Sequence, residues 1–152
     1  MGIGNCGRGD DGLGWQFVES IQQGGNTQFD FEYRYQLQIE DSIIVSEHEL
    51  VIFVDASHEK LEKGFEIKPC NAVEHYFYSS HMQSPETILY LTGNLFDKYP
   101  EAYTIAIEGH YWELKTTISK QAERRLQSAL AFFENDFLPL FQTRQPLLMI
   151  NK

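Results

Sequence analysis

A run of five consecutive apolar residues most constrains the fold of this chain. It spans Leu50 to Val54 and is followed at once by Asp55. Because no polar residues alternate with the apolar ones, both faces of the segment must be covered, as in the central strands of a parallel sheet. A membrane span needs about 20 apolar residues, so this run is too short for one. It therefore predicts a buried strand with helices packed on both sides.

Three longer helices are predicted from apolar residues that recur every three or four positions. Gly24-Gly25 is expected to end the first helix, and Ser84 and Ser119 are suitable N-caps for the other two. The buried stripes are expected at Leu13, Phe17 and Ile21, at Ile88, Leu91 and Leu95, and at Ala122, Leu126, Ala129, Leu130 and Phe133.

Strands and helices alternate along the chain, which predicts a single-domain α/β fold: a three-layer α-β-α sandwich around a mostly parallel, twisted sheet. Besides the buried run, strands are predicted near residues 1–4, 29–35, 65–67 and 103–107, and a short helix at Ile39, Ile43 and Ile44. The domain is expected to cover residues 1–137, and residues 138–152 to form an apolar tail to which the pattern assigns no role.

The first predicted strand is unusually short. It has room for about three residues, whereas strands usually have about five or six. Either the sequence lacks its natural beginning or this strand of the sheet is short, and the sequence does not decide between the two.

Charge and cysteine content exclude several classes of partner. The formal net charge is −10, so phosphate backbones and anionic lipid surfaces repel the chain. Cys6 and Cys70 are the only cysteines, and the N-terminus does not resemble a secretory signal. We therefore expect a cytoplasmic monomer with reduced thiols, which binds neither nucleic acid nor membrane.

The segment from Gly4 to Gly14 contains five glycines in eleven residues, and hence an unusual backbone path between the first strand and the first helix. Gly2 to Gly7 formally matches the dinucleotide-binding fingerprint, with Glu32 near the place of a ribose-binding acid. In that motif, however, the helix opens within the glycines and faces the pyrophosphate. Here Asp10 and Asp11 would stand in the phosphate's place, which disfavours a nucleotide.

Two carboxylates are expected to converge. Asp11 follows the first strand and Asp55 follows the buried strand. In open α/β sheets, ligands bind beyond the carboxyl ends of the strands, where the strand order reverses. The alternatives are structural: Asp10 or Asp11 caps the first helix, and Asp55 accepts hydrogen bonds from loop amides.

A histidine would complete a metal site. His58 follows Asp55 by three residues, whereas His81 lies in the loop that leads into the Ser84-Pro85 helix start, which favours it. Two carboxylates and one imidazole leave open positions on a divalent ion and suit nickel or zinc. The chain has neither the H-E-x-x-H helix of a classical metalloprotease nor the nucleophile elbow of a serine hydrolase.

These motifs together resemble the hydrogenase maturation protease family, and most closely the type that serves bidirectional, soluble nickel-iron hydrogenases. The resemblance rests on three motifs in order: Gly4-x-x-x-Arg8-Gly9-Asp10-Asp11-Gly12-Leu13-Gly14, Val51-Ile52-Phe53-Val54-Asp55-Ala56 and Ser80-His81-x-x-Ser84-Pro85. It continues through Ala106-Ile107-Glu108-Gly109 to the last helix. The aspartate at position 11 is a departure, since some members have glutamate there.

The resemblance implies an endopeptidase of the aspartic type that activates its partner, the precursor of a hydrogenase large subunit, by removing a C-terminal peptide. Asp11, Asp55 and His81 match the family's metal-binding and catalytic positions. The metal would be nickel carried by the precursor, with none tightly bound to the isolated protein. Whether the ion or an aspartate (Asp10 or Asp55) activates water stays open. A Rossmann-like nucleotide- or metabolite-binding module and a non-catalytic assembly chaperone remain the alternatives.

Overall fold

A computed structural model describes residues 1–74 and 83–142 of the chain. Its five-stranded sheet has the order β2-β1-β3-β5-β4, in which only β4 is antiparallel to its neighbour. The strands are β1 (Gly2–Ile3), β2 (Tyr33–Arg34), β3 (Leu50–Ser57), β4 (Phe65–Pro69) and β5 (Glu101–Glu108). The helices are α1 (Leu13–Gln23), α2 (Asp41–Ser46), α3 (Pro85–Phe96), α4 (Lys120–Phe132) and α5 (Pro139–Gln142), with a 3-10 turn at Gly9–Gly12 and a π turn at Phe133–Phe137.

Helices cover both faces of the sheet and give it two apolar cores. On one face, α1 and α4 pack against β3 and β5 around Phe17, Ile105 and Leu126. On the other face, α2 and α3 pack over Phe53 and Ile88. The single-domain, three-layer α/β fold expected from the sequence is therefore confirmed. Among the described residues, no helix has the length and apolar character that a membrane crossing requires.

The predicted capping is observed at both later helices. The Ser84 hydroxyl oxygen accepts from the Thr87 amide, and that of Ser119 accepts from the Ala122 amide, so these serines begin α3 and α4. The stripe expected on the last helix is buried as predicted. Beyond it, Leu138 and Phe141 pack against the same core, so the helical path continues past residue 137.

Helices α2 and α3 differ from the prediction in the direction of some of their side chains. Ile43 is 49% exposed, because the inward side of α2 is the one that carries Asp41. The carboxylate of Asp41 accepts a hydrogen bond from the side chain of Arg34. Leu95 is 59% exposed, because α3 faces α2 with Thr92 instead. The Thr92 hydroxyl donates to the carbonyl of Ile88 at 2.8 Å, which removes the cost of burying it.

Helix α1 lies unusually close to the sheet. A Cβ atom added to Gly14 would stand 2.3 Å from the carbonyl oxygen of Ile3 and 2.4 Å from that of Val54. Both contacts are with backbone, which cannot move aside without disturbing β1 and β3. This close approach fixes where the helix begins, and so places the residues that precede it.

We expect Gly14→Ala to destabilise the fold by about 2–3 kcal/mol, which corresponds to a fall in Tm of about 5–10 °C for a chain of this size. Thermal unfolding followed by circular dichroism measures it. Gly24→Ala is the control, because the nearest atom to its new Cβ is 3.3 Å away and the backbone φ is −66°. Equal Tm values for the two variants would contradict the proposed close contact.

Candidate active site

Asp11 lies at the carboxyl edge of the sheet, in a loop that folds back on itself. Its side chain and its backbone carbonyl both accept from the Asn5 amide, at 3.0 and 3.1 Å. Gly4 makes this approach possible: its φ is +128°, and a Cβ there would stand 1.9 Å from the Asp11 carbonyl oxygen. The carboxylate of Asp11 is therefore held by the turn that leaves β1.

Asp55 is not the end of its strand as predicted. Strand β3 continues to Ser57, because its pairing with β5 runs through Ser57 opposite Glu108. Asp55 still reaches the edge, since β1 has already ended at Ile3 and leaves that part of β3 without a strand on its β1 side. The chain leaves β1 toward β2 on one side and returns to β3 on the other, so the two aspartates flank the switch point in strand order.

The structure brings Asp11 and Asp55 into electrostatic contact. Desolvation by the surrounding protein, with a smaller contribution from the Asp11 carboxylate, raises the pKa of Asp55 to about 7 against the opposing hydrogen bond from the Ala56 amide. The side chain is also open to solvent, so water moderates the effect of desolvation. Two like charges that share a solvent-accessible edge form a site at which a cation would relieve repulsion.

The neighbouring Asp10 has a different role. It is fully buried, and its carboxylate accepts four hydrogen bonds: from the amides of His110, Tyr111 and Ser119, at 2.7, 2.9 and 2.6 Å, and from the Ser119 hydroxyl at 2.8 Å. Burial raises the pKa of Asp10, but these bonds together outweigh it and hold the pKa below its ordinary value. Asp10 thus anchors a distant part of the chain.

That distant part is the loop from residue 109 to residue 119, between β5 and α4, which we call the 109–119 loop. Backbone hydrogen bonds reinforce its attachment. The Gly9 amide donates to the Lys115 carbonyl, the Asp10 amide to the Tyr111 carbonyl, and the Lys115 amide to the Gly7 carbonyl. The sequence interpretation of Asp10 or Asp11 as the cap of α1 is wrong, because neither the 3-10 turn nor α1 has a side-chain cap. No local signal marks a partner about 100 residues away.

Backbone amides of the glycine-rich loop donate hydrogen bonds to acceptors within the loop itself. The Asn5 amide bonds to Asp11, the Gly7 amide to the Asn5 side chain and the Asp11 amide to the Arg8 carbonyl. A dinucleotide site needs such amides directed at a pyrophosphate. Their internal use argues against nucleotide binding at this loop.

Cys6 lies in the same loop, beside Gly12. Burial raises the pKa of its thiol, and the negative charges of Glu19 and Asp11 add to the effect. Because a nucleophilic cysteine needs a lowered pKa, this thiol is unsuited to the role. Both Cys6 and Cys70 are free thiols, as expected.

The described histidines do not join the two aspartates. The ring of His58 stacks on Trp112 of the 109–119 loop, with centroids 3.6 Å apart, and His110 contacts Arg125 and Glu108. Within residues 1–74 and 83–142, no group of three His, Cys, Asp or Glu side chains could hold a metal ion. His81 falls outside the described residues. Its neighbour Gln83 pairs with Leu37, just beyond the end of β2.

Comparisons with known proteins agree with the fold. No protein-family model and no curated protein matches the sequence. Among solved structures, the nickel-iron hydrogenase maturation protease HycI from Thermococcus kodakarensis KOD1 is similar with a TM-score of 0.66 and 20% identity, over 90% of this chain and 88% of that one. The hydrogenase 2 maturation peptidase from Thaumarchaeota archaeon SCGC_AB-539-E09 has a TM-score of 0.61 and 14% identity, over 90% of this chain and 95% of that one.

The hydrogenase maturating endopeptidase HybD from E. coli is similar over 89% of this chain and 91% of its own, with a TM-score of 0.60 and 16% identity. At such identities the likeness establishes a shared fold. The fold that the sequence motifs led us to expect is therefore the one observed.

We expect Asp10→Asn to destabilise the protein by about 3 kcal/mol, because a buried amide group would replace an acceptor that four donors surround. The wild type should also lose stability as pH falls through the lowered pKa of Asp10, and the variant should lose less there. Urea unfolding between pH 2 and pH 7 measures both, because the loss falls below the ordinary aspartate pKa of about 4. Asp97→Asn, at an exposed left-handed position that asparagine tolerates, is the control.

For Asp55, the dependence of stability on pH has the opposite sign. A folded-state pKa raised to about 7 means that the native protein binds the proton more tightly than the unfolded chain, so ionisation of Asp55 costs stability as pH rises from about 4 to above 7. We expect Asp55→Asn to raise Tm at pH 8 and to change it little at pH 4. Scanning calorimetry at the two pH values tests this, and a lower Tm for the variant at pH 8 would refute it.

Proposed function

We propose that this chain is an endopeptidase of hydrogenase maturation, which removes a C-terminal peptide from the nickel-loaded precursor of a nickel-iron hydrogenase large subunit. The observation that carries the proposal is the pair Asp11 and Asp55 at the switch point of a sheet whose fold is shared with enzymes named for this activity. Such a pair supplies charge where a ligand would enter.

The donor set fits a divalent ion that arrives from outside. Two adjacent carboxylates, one with a raised pKa, are stabilised by a cation between them. Two carboxylates alone hold a transition metal weakly. An ion already bound by the precursor would therefore be shared with this site, and its presence would report that the precursor is loaded.

His81 is the third ligand in this proposal. Gln83 lies two residues after it, and the Gln83 amide donates to the carbonyl of Leu37, three residues beyond the end of β2. The carboxyl end of β2 lies at the same sheet edge as Asp11 and Asp55. The chain thus enters α3 from the edge at which the two carboxylates stand. The ring of His58 is engaged with Trp112 at that edge, and this favours His81 over His58.

The described residues suggest how the site would act. Asp11 and Asp55 bind and orient the ion-bearing end of the precursor, and the ion supplies Lewis acidity toward a carbonyl or a water molecule. The alternative role of Asp55 is to take a proton from water, for which its pKa of about 7 in the absence of the ion is suited near neutral pH. Asp10 is fully engaged in hydrogen bonds, so its role here is to position the loop. We further propose that the protein acts in the cytoplasm as a monomer.

The test is cleavage of a hydrogenase large-subunit precursor, prepared with and without nickel and followed by mass spectrometry. The purified protein should shorten the nickel-loaded precursor at its C-terminus and leave the nickel-free precursor intact. Asp11→Ala, Asp55→Ala and His81→Ala should each reduce the rate at least 100-fold, with far-ultraviolet circular dichroism unchanged.

His58→Ala is the matched control, since it removes the competing histidine and should keep the rate within a few-fold of the wild type. If His58→Ala abolishes cleavage and His81→Ala does not, the ligand assignment is wrong. A precursor that binds but keeps its mass would replace the peptidase with the non-catalytic chaperone. Equal cleavage with and without nickel would remove the metal from the proposal.

A further inference from the structure

Two cationic side chains stand side by side at the carboxyl edge of the sheet. Arg8 of the glycine-rich loop forms an isolated parallel bridge with Lys115 of the loop between β5 and α4. Backbone hydrogen bonds fix this bridge: the Lys115 amide donates to the Gly7 carbonyl at 3.0 Å, and the Gly9 amide donates to the Lys115 carbonyl at 2.7 Å. Residues paired across such a bridge project their side chains from the same face, with Cβ atoms roughly 5 Å apart. Arg8 and Lys115, which we call the cation pair, therefore leave the backbone together.

The cation pair is not neutralised by an acid of the described chain. Both residues are exposed, and neither Arg8 nor Lys115 forms an ion pair with another described residue. The Lys115 ammonium lies 5.4 Å from the centroid of the Tyr111 ring, a cation–π contact that holds it without cancelling its charge. Glu113 of the same loop accepts a hydrogen bond from the Tyr111 hydroxyl. Like charges placed opposite each other repel, so this pair favours an anion between its members.

The cation pair lies next to the carboxylate pair of the proposed active site. The Asp11 amide donates to the Arg8 carbonyl at 3.2 Å and closes a 3-10 turn. Residues three apart lie above one another in such a turn, so Arg8 and Asp11 leave it on the same side, about 6 Å apart along its axis. Two positive side chains thus stand beside the two negative ones, Asp11 and Asp55. A substrate that carries a cation and an anion a short distance apart is complementary to this arrangement.

The backbone on both sides of the cation pair is fixed before a ligand arrives. Asp10, two residues after Arg8, accepts hydrogen bonds from the amides of His110 and Ser119, near the two ends of the 109–119 loop. An anion that binds here therefore orders little more than two side chains. A preorganised site loses less conformational entropy on binding, and this favours a specific contact over a diffuse attraction.

We propose that the cation pair is a specificity site for the polypeptide substrate, and that it binds the side-chain carboxylate of an aspartate or glutamate near the bond that is cut. This inference rests on the proposed peptidase function, under which the anions of the substrate are carboxylates. The guanidinium of Arg8 can bind a carboxylate through two parallel hydrogen bonds, and the ammonium of Lys115 adds a second charge.

The geometry limits where in the substrate this acid lies. Arg8 and Asp11 are separated by roughly 6 Å along the turn, and an arginine side chain extends that distance by about as much again. An extended polypeptide advances about 3.3 Å per residue, so the bound acid lies within about four residues of the cleaved bond.

The test compares the wild type with Arg8→Ala, Lys115→Ala and the double variant in cleavage of the nickel-loaded precursor. Each single change should raise KM roughly 3- to 10-fold and keep kcat within about two-fold, because it removes a binding contact and leaves the backbone bridge in place. Added salt should raise the KM of the wild type more than that of the double variant. Lys98→Ala is the matched control, since it removes one exposed cation between α3 and the start of β5, at the opposite edge.

Changes in the precursor identify the bound group. Each aspartate and glutamate within four residues of the cleaved bond is replaced in turn by its amide. One of these replacements should raise KM about as much as the double variant does, and the two changes together should not add, because they remove the same contact. Replacing that acid by lysine should restore cleavage by a variant with Arg8→Glu and Lys115→Glu. Extending the precursor by four residues moves its terminal carboxylate away and should leave KM unchanged.

An unchanged KM in the double variant, fully additive effects, or amide replacements that all leave KM unchanged would overturn the proposal. A rise in KM when the precursor is extended would assign the cation pair to the terminal carboxylate and overturn the side-chain assignment. Failure of the peptidase function gives a different result, because the wild type would then leave every precursor intact. In that case the Kd for the nickel-free precursor, measured by calorimetry, should still rise in the double variant, and an unchanged Kd overturns this proposal too.

Discussion

The hydrogen bonds that converge on the buried carboxylate of Asp10 organise the functional edge of this protein. A buried charge is tolerated only when hydrogen bonds replace its hydration, and here three amides and one hydroxyl do so. The bonds join the glycine-rich loop to the 109–119 loop and to Ser119, which begins α4. Asp11 directly follows Asp10, so its carboxylate is presented from a backbone that is fixed on both sides.

The same edge of the sheet carries two aspartates whose surroundings shift their pKa values in opposite directions. The Asp10 carboxylate accepts from four donors, which lower its pKa. The Asp55 carboxyl accepts from one amide and lies near another carboxylate, and its pKa is raised. The first arrangement stabilises the fold and the second costs it stability. Such a cost at an accessible edge is typical of a site that is completed by a ligand, and it supports our proposal that a metal arrives with the substrate.

The two edges of the sheet have opposite chemistry. The carboxyl edge is polar and closely hydrogen-bonded, while the amino edge surrounds an apolar cavity next to the ammonium of Met1. Both follow from the position of β1 between β2 and β3. Where β1 ends, its loop carries Asp11 to the switch point.

The sequence by itself determined the order of the elements and most of their positions, but the strand predicted at residues 29–35 is formed only by Tyr33–Arg34. The run from Leu50 to Val54, the caps at Ser84 and Ser119 and the stripe along the last helix are signals between residues close in the chain, and each was observed. The convergence of Asp11 and Asp55 also followed, because parallel strands bring their carboxyl ends to one edge. Only the tertiary structure decided the partners of Asp10, the stacking of His58 on Trp112, the outward side chains of Ile43 and Leu95 and the continuation of β3 past Asp55. Those features depend on contacts between segments far apart in the chain, whose geometry is set by packing and by hydrogen-bond satisfaction and leaves no local pattern.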